Sequence, residues 1–178
     1  MADTVLAAPE VLLSEDEVRR AIDALAAQIA PRVDDETVAV CLLTGGIWFA
    51  ADLTRALSRL GRNLLFDCLW VGSYGDAHET SGKLKVHANL QRPVTGRKVL
   101  LLDDVFDSGL CLTESVRMLK EQGATEVLTA VFARKPYPKH RPQHPDFIAW
   151  EAPGRYLVGY GLDSAGAYRG VPFIGALD

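Results

Sequence analysis

Cysteine is scarce in this chain. Cys41, Cys68 and Cys111 are odd in number, widely spaced and without a C-x-x-C pair, which fits three structural thiols in a reducing compartment. Long apolar runs are missing too, so no bilayer crossing and no membrane partner are expected. The start Met1-Ala2-Asp3-Thr4 lacks the basic residues of a signal peptide, and the expected location is cytoplasmic. Nor is there an excess of positive charge. A formal net charge of -4 argues against a general nucleic-acid binder while leaving room for a local phosphate site. Internal repeats and low-complexity segments are absent. What remains is 178 residues, 48% hydrophobic and 24% charged, enough for one well-buried core and short for two. A single domain over residues 1–178 is expected.

The pattern along the chain alternates strand and helix. Ser14 and Glu17 form a capping box, after which Val18, Ile22, Leu25 and Ile29 recur at helical spacing as far as Pro31. Val38 to Leu43 reads as a buried parallel strand delivering Thr44-Gly45-Gly46 to a loop. A helix through Leu53, Ala56, Leu57 and Leu60 closes at Gly61, and Leu64 to Val71 is the next strand. Residues 72–91 are long and polar, the size of a mobile lid, within which Lys83 to His87 suit a hairpin arm. Val99 to Leu102 predicts a strand, Leu112 to Gln122 a helix ended by Gly123, and Val127 to Ala133 another strand. Past the proline-rich residues 136–145 come apolar runs at Phe147 to Trp150 and Tyr156 to Tyr160. The fold class is α/β, a parallel sheet flanked by helices, with a small hood from the N-terminal helix and residues 145–178. Ligands of such sheets sit beyond the strand C-terminal ends, where Thr44-Gly46, Asp103-Gly109 and Arg134-Lys135 converge.

The run Val99-Leu100-Leu101-Leu102-Asp103-Asp104-Val105-Phe106-Asp107-Ser108-Gly109 carries the chemistry. An apolar strand brings two adjacent carboxylates, then a third, to a small-residue turn that opens a helix. The unpaired N–H groups of a helix N-terminus can hold a phosphate. Ser108 and Gly109 let backbone amides approach it without a clashing side chain, and Asp103 and Asp104 face sugar hydroxyls or a hydrated Mg²⁺. A phosphorylated sugar is the ligand these groups suit.

The run resembles the phosphoribosyl-pyrophosphate (PRPP) motif of the type I phosphoribosyltransferases, with Asp-Ser-Gly in place of the commoner Asp-Thr-Gly. The tail is similar to that of the hypoxanthine-guanine phosphoribosyltransferase family: Pro153-Gly154-Arg155-Tyr156-Leu157-Val158-Gly159-Tyr160-Gly161-Leu162-Asp163, then Tyr168-Arg169 and Pro172-Phe173-Ile174-Gly175. The likeness runs from about Val38 to Gly175. It implies an enzyme of purine salvage that joins a 6-oxopurine, hypoxanthine or guanine, to PRPP and releases pyrophosphate, with Mg²⁺ as cofactor. It puts Asp103 and Asp104 at the ribose and its Mg²⁺, Asp107 as general base beside the purine N7, and Asp107, Ser108, Gly109, Leu110, Cys111 and Leu112 around the 5′-phosphate. Lys135 falls on the purine 6-oxo group, Tyr156 over the base and Leu157 on its edge. Asp163 falls beside the purine and a second Mg²⁺. Leu43, Thr44, Gly45 and Gly46 correspond to the pyrophosphate loop, where a non-proline cis peptide is usual, and Arg169 reaches the pyrophosphate. Ser73 and Tyr74 match the lid that keeps water from the reacting ribose. Self-association as a homodimer or homotetramer is implied as well. Two departures stand out: Thr44 replaces a basic residue found in many relatives, and Leu110-Cys111 replaces polar residues of the phosphate loop, leaving Ser108 and Thr113 as side-chain donors.

Plainer readings exist for each residue taken singly. An acidic pair also marks response-regulator receivers, although there it follows the first strand. Asp107 could be a helix N-cap, Lys135 a solvated charge, Tyr156 part of a sheet, Asp163 a turn residue, and Arg169 a surface cation paired with Asp163 or Glu151. His140 and His144 have a helical metal-pair spacing, but Pro138, Pro142 and Pro145 forbid the helix. His78 and His87 are read as solvated, and Trp48, Trp70 and Trp150 as packing. Rival functions are a xanthine-preferring transferase and a non-catalytic PRPP- or nucleotide-binding regulator of the same fold.

Overall fold

A computed structural model describes residues 8–73, 84–141 and 143–177. In chain order the elements are β1 (Glu10–Leu13), α1 (Glu15–Ile29), β2 (Val38–Leu43), α2 (Ile47–Arg59), β3 (Leu65–Ser73), β4 (Leu84–Ala88), β5 (Lys98–Phe106), α3 (Leu110–Glu121), β6 (Glu126–Arg134), β7 (Phe147–Glu151), β8 (Tyr156–Val158) and β9 (Ile174–Leu177). The capping box holds as expected: the Glu17 amide donates to Ser14 Oγ, and the Ser14 amide donates 2.8 Å to Glu17 Oε2. Together these bonds satisfy two otherwise orphaned donors, a feature worth about 0.5 to 2 kcal/mol.

Six strands form the main sheet in the order β4-β3-β2-β5-β6-β7, all neighbours parallel except the β3–β4 hairpin. Period-2 alternation sends β5 Leu100 and Leu102 to the side covered by α1 and α2, and Val99 and Leu101 to the side covered by α3. Burial on both faces explains why these strands read as unbroken apolar runs. Phe49 of α2 meets Phe132 of β6 edge-on at 6.0 Å, and Phe132 meets Tyr160 at 5.0 Å, so one aromatic column joins helix, sheet and hood. Truncating such a ring costs about 3 to 5 kcal/mol.

The hood differs from the expectation in its parts. Its sheet is β1-β9-β8, so the N-terminal contribution is a strand, while helix α1 packs on α2 and β7. Phe147–Glu151 extends the main sheet beside β6. The reason lies in hydrogen-bond partnership: β6 offers an open edge to β7, whereas β1 finds its edge only at β9, which is distant in sequence. The chain order reverses between β2 and β5, and the crevice beyond their C-terminal ends lies under the hood.

Candidate active site

The acids do not follow β5; they are part of it. Strand pairing with β6 continues through Asp103↔Val131 to Phe106↔Arg134, so the turn begins only at Asp107. The β2 partner ends earlier, at Cys41↔Leu102. Side chains take over locally: the Asp104 amide donates to Asp103 Oδ1 at 3.1 Å, and the Val105 amide to Asp104 Oδ1 at 2.9 Å. The two neighbouring carboxylates interact with each other yet open on different hollows, Asp103 on one at the start of α3 and Asp104 on one beneath the hood. Desolvation, and then the charge of Asp104, push the Asp103 carboxyl well above its ordinary value. Desolvation raises Asp104 as well, against the local hydrogen bonds and the more distant pull of Arg169. Two crowded, desolvated carboxylates are a donor set that a small hard cation would relieve, and Mg²⁺ typically keeps substrate and water oxygens beside one or two such groups.

Asp107, Ser108 and Gly109 form the turn. Gly109 caps α3 at φ +82°, and a Cβ there would also stand 2.9 Å from the Phe106 ring. Gly109 offers no side-chain acceptor, which leaves the amides of Cys111 and Leu112 beside a hollow of about 120 Å³ lined by Asp103, Val105, Phe106, Asp107, Ser108, Gly109, Cys111 and Leu112. Leu110 opens the helix outside that lining, and Thr113 also lies outside it, its buried Oγ making no hydrogen bond among the described residues. Ser108 Oγ accepts from the Leu110 amide at 3.4 Å. Burial, with the nearby charges of Asp103 and Asp104, pushes the Cys111 thiol up to about 12.

The second hollow, about 220 Å³, is lined by Asp104, Val105, Asp107, Lys135, Tyr156, Leu157, Leu162 and Asp163. Lys135 Nζ lies 3.4 Å from Asp107 Oδ2, and the N-cap of α3 is Gly109 rather than Asp107, with no side-chain bond to the cap. Tyr156 exposes 54% of its surface, and its hydroxyl donates to the Asp163 carbonyl at 3.1 Å. Asp163 is held from two sides, by Arg169 at 2.6 Å and by the Gly166 amide at 2.7 Å, so the plainer pairing considered for Arg169 is present. Glu151 pairs instead with Arg134.

Leu43–Thr44 is a cis peptide, and Thr44 is exposed. Any side chain at Gly45 would overlap the Asp104 carboxylate, whose Oδ2 lies 1.7 Å from the position of a Cβ. A Cβ at Gly161, whose φ is +95°, would in turn stand 2.2 Å from the Gly45 carbonyl oxygen. The Arg169 guanidinium donates to the Gly161 carbonyl at 2.6 Å, so the loop after β2, the acids of β5 and the hood converge. Ser73 ends β3, whereas Tyr74 and the centre of the expected lid lie outside the described residues. His78 lies outside them too.

Four participants had no role assigned from the sequence. Val105, Phe106 and Leu162 line the hollows as spacers, and Arg141, only 8% exposed, donates to the carbonyls of Asp107 and Lys135. Trp70 is half-exposed against His87, in contrast to the packing role expected of it. Among the described residues no group of three or more His, Cys, Asp or Glu is placed to hold a metal by itself, and no helix is long and apolar enough to cross a membrane.

A family model described as a phosphoribosyl transferase domain matches residues 11–164. A hypoxanthine-guanine phosphoribosyltransferase of Bacillus subtilis is 33% identical over 169 residues, covering 94% of this chain and 92% of the relative. One from Aquifex aeolicus is 33% identical over 165 residues, 92% and 91% of the two chains. Among solved structures, a hypoxanthine phosphoribosyltransferase of Staphylococcus aureus superposes with a TM-score of 0.86 at 27% identity, over 95% of this chain and 91% of that one. Motif, sheet order, converging loops and relatives agree, and the chain belongs to the hypoxanthine-guanine phosphoribosyltransferase family.

Proposed function

We propose that the protein transfers the 5-phosphoribosyl group of PRPP to hypoxanthine, guanine or both, giving inosine or guanosine monophosphate and pyrophosphate. The observation that carries this reading is the position of Asp107, shared between the phosphate-sized hollow at α3 and the hollow holding Lys135 and Tyr156. A nucleotide spans such a pair of hollows, with phosphate in one and base in the other. The α3 amides and Ser108 bind the 5′-phosphate, and Asp103 and Asp104 orient the ribose between them. Tyr156 offers a ring face to the purine. Lys135 donates to its 6-oxo oxygen, a polar choice that an amino group in that place would forfeit. As N9 forms its bond to C1′ and the C1′–O bond to pyrophosphate breaks, Asp107 Oδ2 takes the proton from N7. Thr44, Gly45, Gly46 and Arg169 receive the pyrophosphate. When bound at Asp103 and Asp104, Mg²⁺ supplies charge neutralisation for the leaving pyrophosphate, and Asp163 becomes available to a second ion if Arg169 turns from it to the substrate.

The same reading assigns closure over the ribose to Ser73, Tyr74 and the segment joining β3 to β4, since a ribosyl cation is otherwise captured by water. It further takes the chain as one domain, acting in the cytoplasm as a homodimer or homotetramer; the three free thiols and the family resemblance support this. The test is direct. Incubation with PRPP, Mg²⁺ and hypoxanthine is expected to give inosine monophosphate and pyrophosphate in equal amounts, and no product with either 6-oxopurine overturns the reading.

A further inference from the structure

The ladder between β5 and β6 stops one rung short of the groups that matter. The Lys135 amide donates 3.1 Å to the Phe106 carbonyl, after which the carbonyls of Asp107 and Lys135 face the same space. Two acceptors cannot bond each other. Arg141, from the proline-rich connection to β7, fills the gap with one edge of its guanidinium: Nε donates to the Asp107 carbonyl at 2.7 Å and Nη2 to the Lys135 carbonyl at 2.5 Å. Its plane is fixed over the Phe106 ring at 4.5 Å and beside the Tyr137 ring at 5.2 Å, and the residue is only 8% exposed. A planar fork with two parallel donors sets the separation of the acceptors it joins, which a lysine's single ammonium does not.

We infer that Arg141 is a positioning residue for base recognition: it holds the backbones of Asp107 and Lys135 so that their side chains meet N7 and the 6-oxo group of one purine at once. This rests on the function proposed above and adds to it the part that sets the spacing of the two groups. The carboxylate and ammonium are 3.4 Å apart with the Asp107 side chain half-exposed, so the pair itself is too open to fix that spacing. Arg141 touches neither hollow; it acts on the two carbonyls behind them. Its hydrogen bonds reach the carbonyls of Asp107 and Lys135 rather than α3 or the loop after β2, so the loss is expected to fall mainly on the base and much less on PRPP.

The experiment measures kcat and KM for hypoxanthine and for PRPP in the full chain carrying Arg141→Ala, Arg141→Lys, Lys135→Ala and Arg141→Ala with Lys135→Ala. Misplacement of reacting groups by about 1 Å costs on the order of 100-fold. Arg141→Ala is therefore expected to lower kcat/KM for the base about 10- to 100-fold, with KM for PRPP changed by less than about twofold and partial rescue by added methylguanidinium. In the Lys135→Ala background the same change should cost less than about threefold, since the partner it positions is already gone. Should Arg141→Ala not fold, Arg141→Lys keeps the charge and decides the matter, with an intermediate loss confined to the base. Equal losses for both substrates, additive losses in the double variant, or unchanged kinetics beside a lowered melting temperature overturn the inference. A wild-type chain that turns over no 6-oxopurine overturns the parent reading as well; a wild type that turns over beside an unaffected Arg141→Ala overturns the inference alone.

Discussion

Lys135 Nζ and Asp107 Oδ2 stand 3.4 Å apart at the ends of neighbouring strands, one side chain mostly covered and the other half-exposed. An ion pair this open contributes little to stability, so removing either partner is a test of chemistry rather than of folding. Asp107→Asn keeps the shape and removes the base. Turnover is expected to fall by at least about 100-fold while the dissociation constant for PRPP changes by less than about threefold. Parallel losses of turnover and PRPP binding, measured by initial rates and calorimetry, would reduce Asp107 to a structural part of the phosphate loop.

Lys135→Ala should affect choice more than rate. Without its ammonium the 6-oxo oxygen loses a charged donor worth about 1.5 to 3 kcal/mol, and preference for hypoxanthine over adenine is expected to shrink about 10- to 100-fold. Competition assays with both bases report this ratio, and an unaltered preference contradicts the assignment.

Thr44 is exposed beside Gly45 and Asp104 and brings no positive charge to the loop after β2. Thr44→Lys is therefore expected to lower KM for PRPP by about tenfold, equivalent to about 1.4 kcal/mol, with little change in KM for the base. A KM for PRPP that stays the same or rises would show that this loop meets pyrophosphate by backbone alone.

The raised carboxyl of Asp103 has a consequence for stability. Between the ordinary value of 3.8 and the raised one, the folded state holds a proton that the unfolded chain releases, so stability falls as pH rises through that window and stays lowered above it. Asp103→Asn retains an oxygen to accept the Asp104 amide while removing the charge. In a chelating buffer its melting temperature is expected to exceed that of the wild type near about pH 8, by roughly 2 to 4 °C per kcal/mol relieved, with the gain vanishing near about pH 3. Thermal melts at the two values check this, and a gain of the same size at both would place its origin elsewhere than in the charge.

Much of this was legible because local and global signals agree. The capping box of α1, the continuous apolar strands and the acid-rich run before Gly109 each reflect a local demand that a single segment expresses. What was not legible depended on partners distant in sequence. The acids of β5 look like a loop, since Asp suits strands poorly, yet pairing with β6 carries the strand to Phe106. Four-residue β1 gives no periodicity of its own and becomes a strand only against β9. Arg141 works through carbonyls, which every residue has, so nothing in the residue types around it marked its role.

Asp107 is proposed as the proton acceptor of a 6-oxopurine transferase. The most direct test of this is spectrophotometric turnover of PRPP and Mg²⁺ with hypoxanthine, guanine, xanthine and adenine side by side, each with wild type and Asp107→Ala. Inosine or guanosine monophosphate is expected from the wild type, no adenosine monophosphate, and near loss of product in the variant. Silence with every base beside measurable PRPP binding, or adenine as the preferred acceptor, would contradict it.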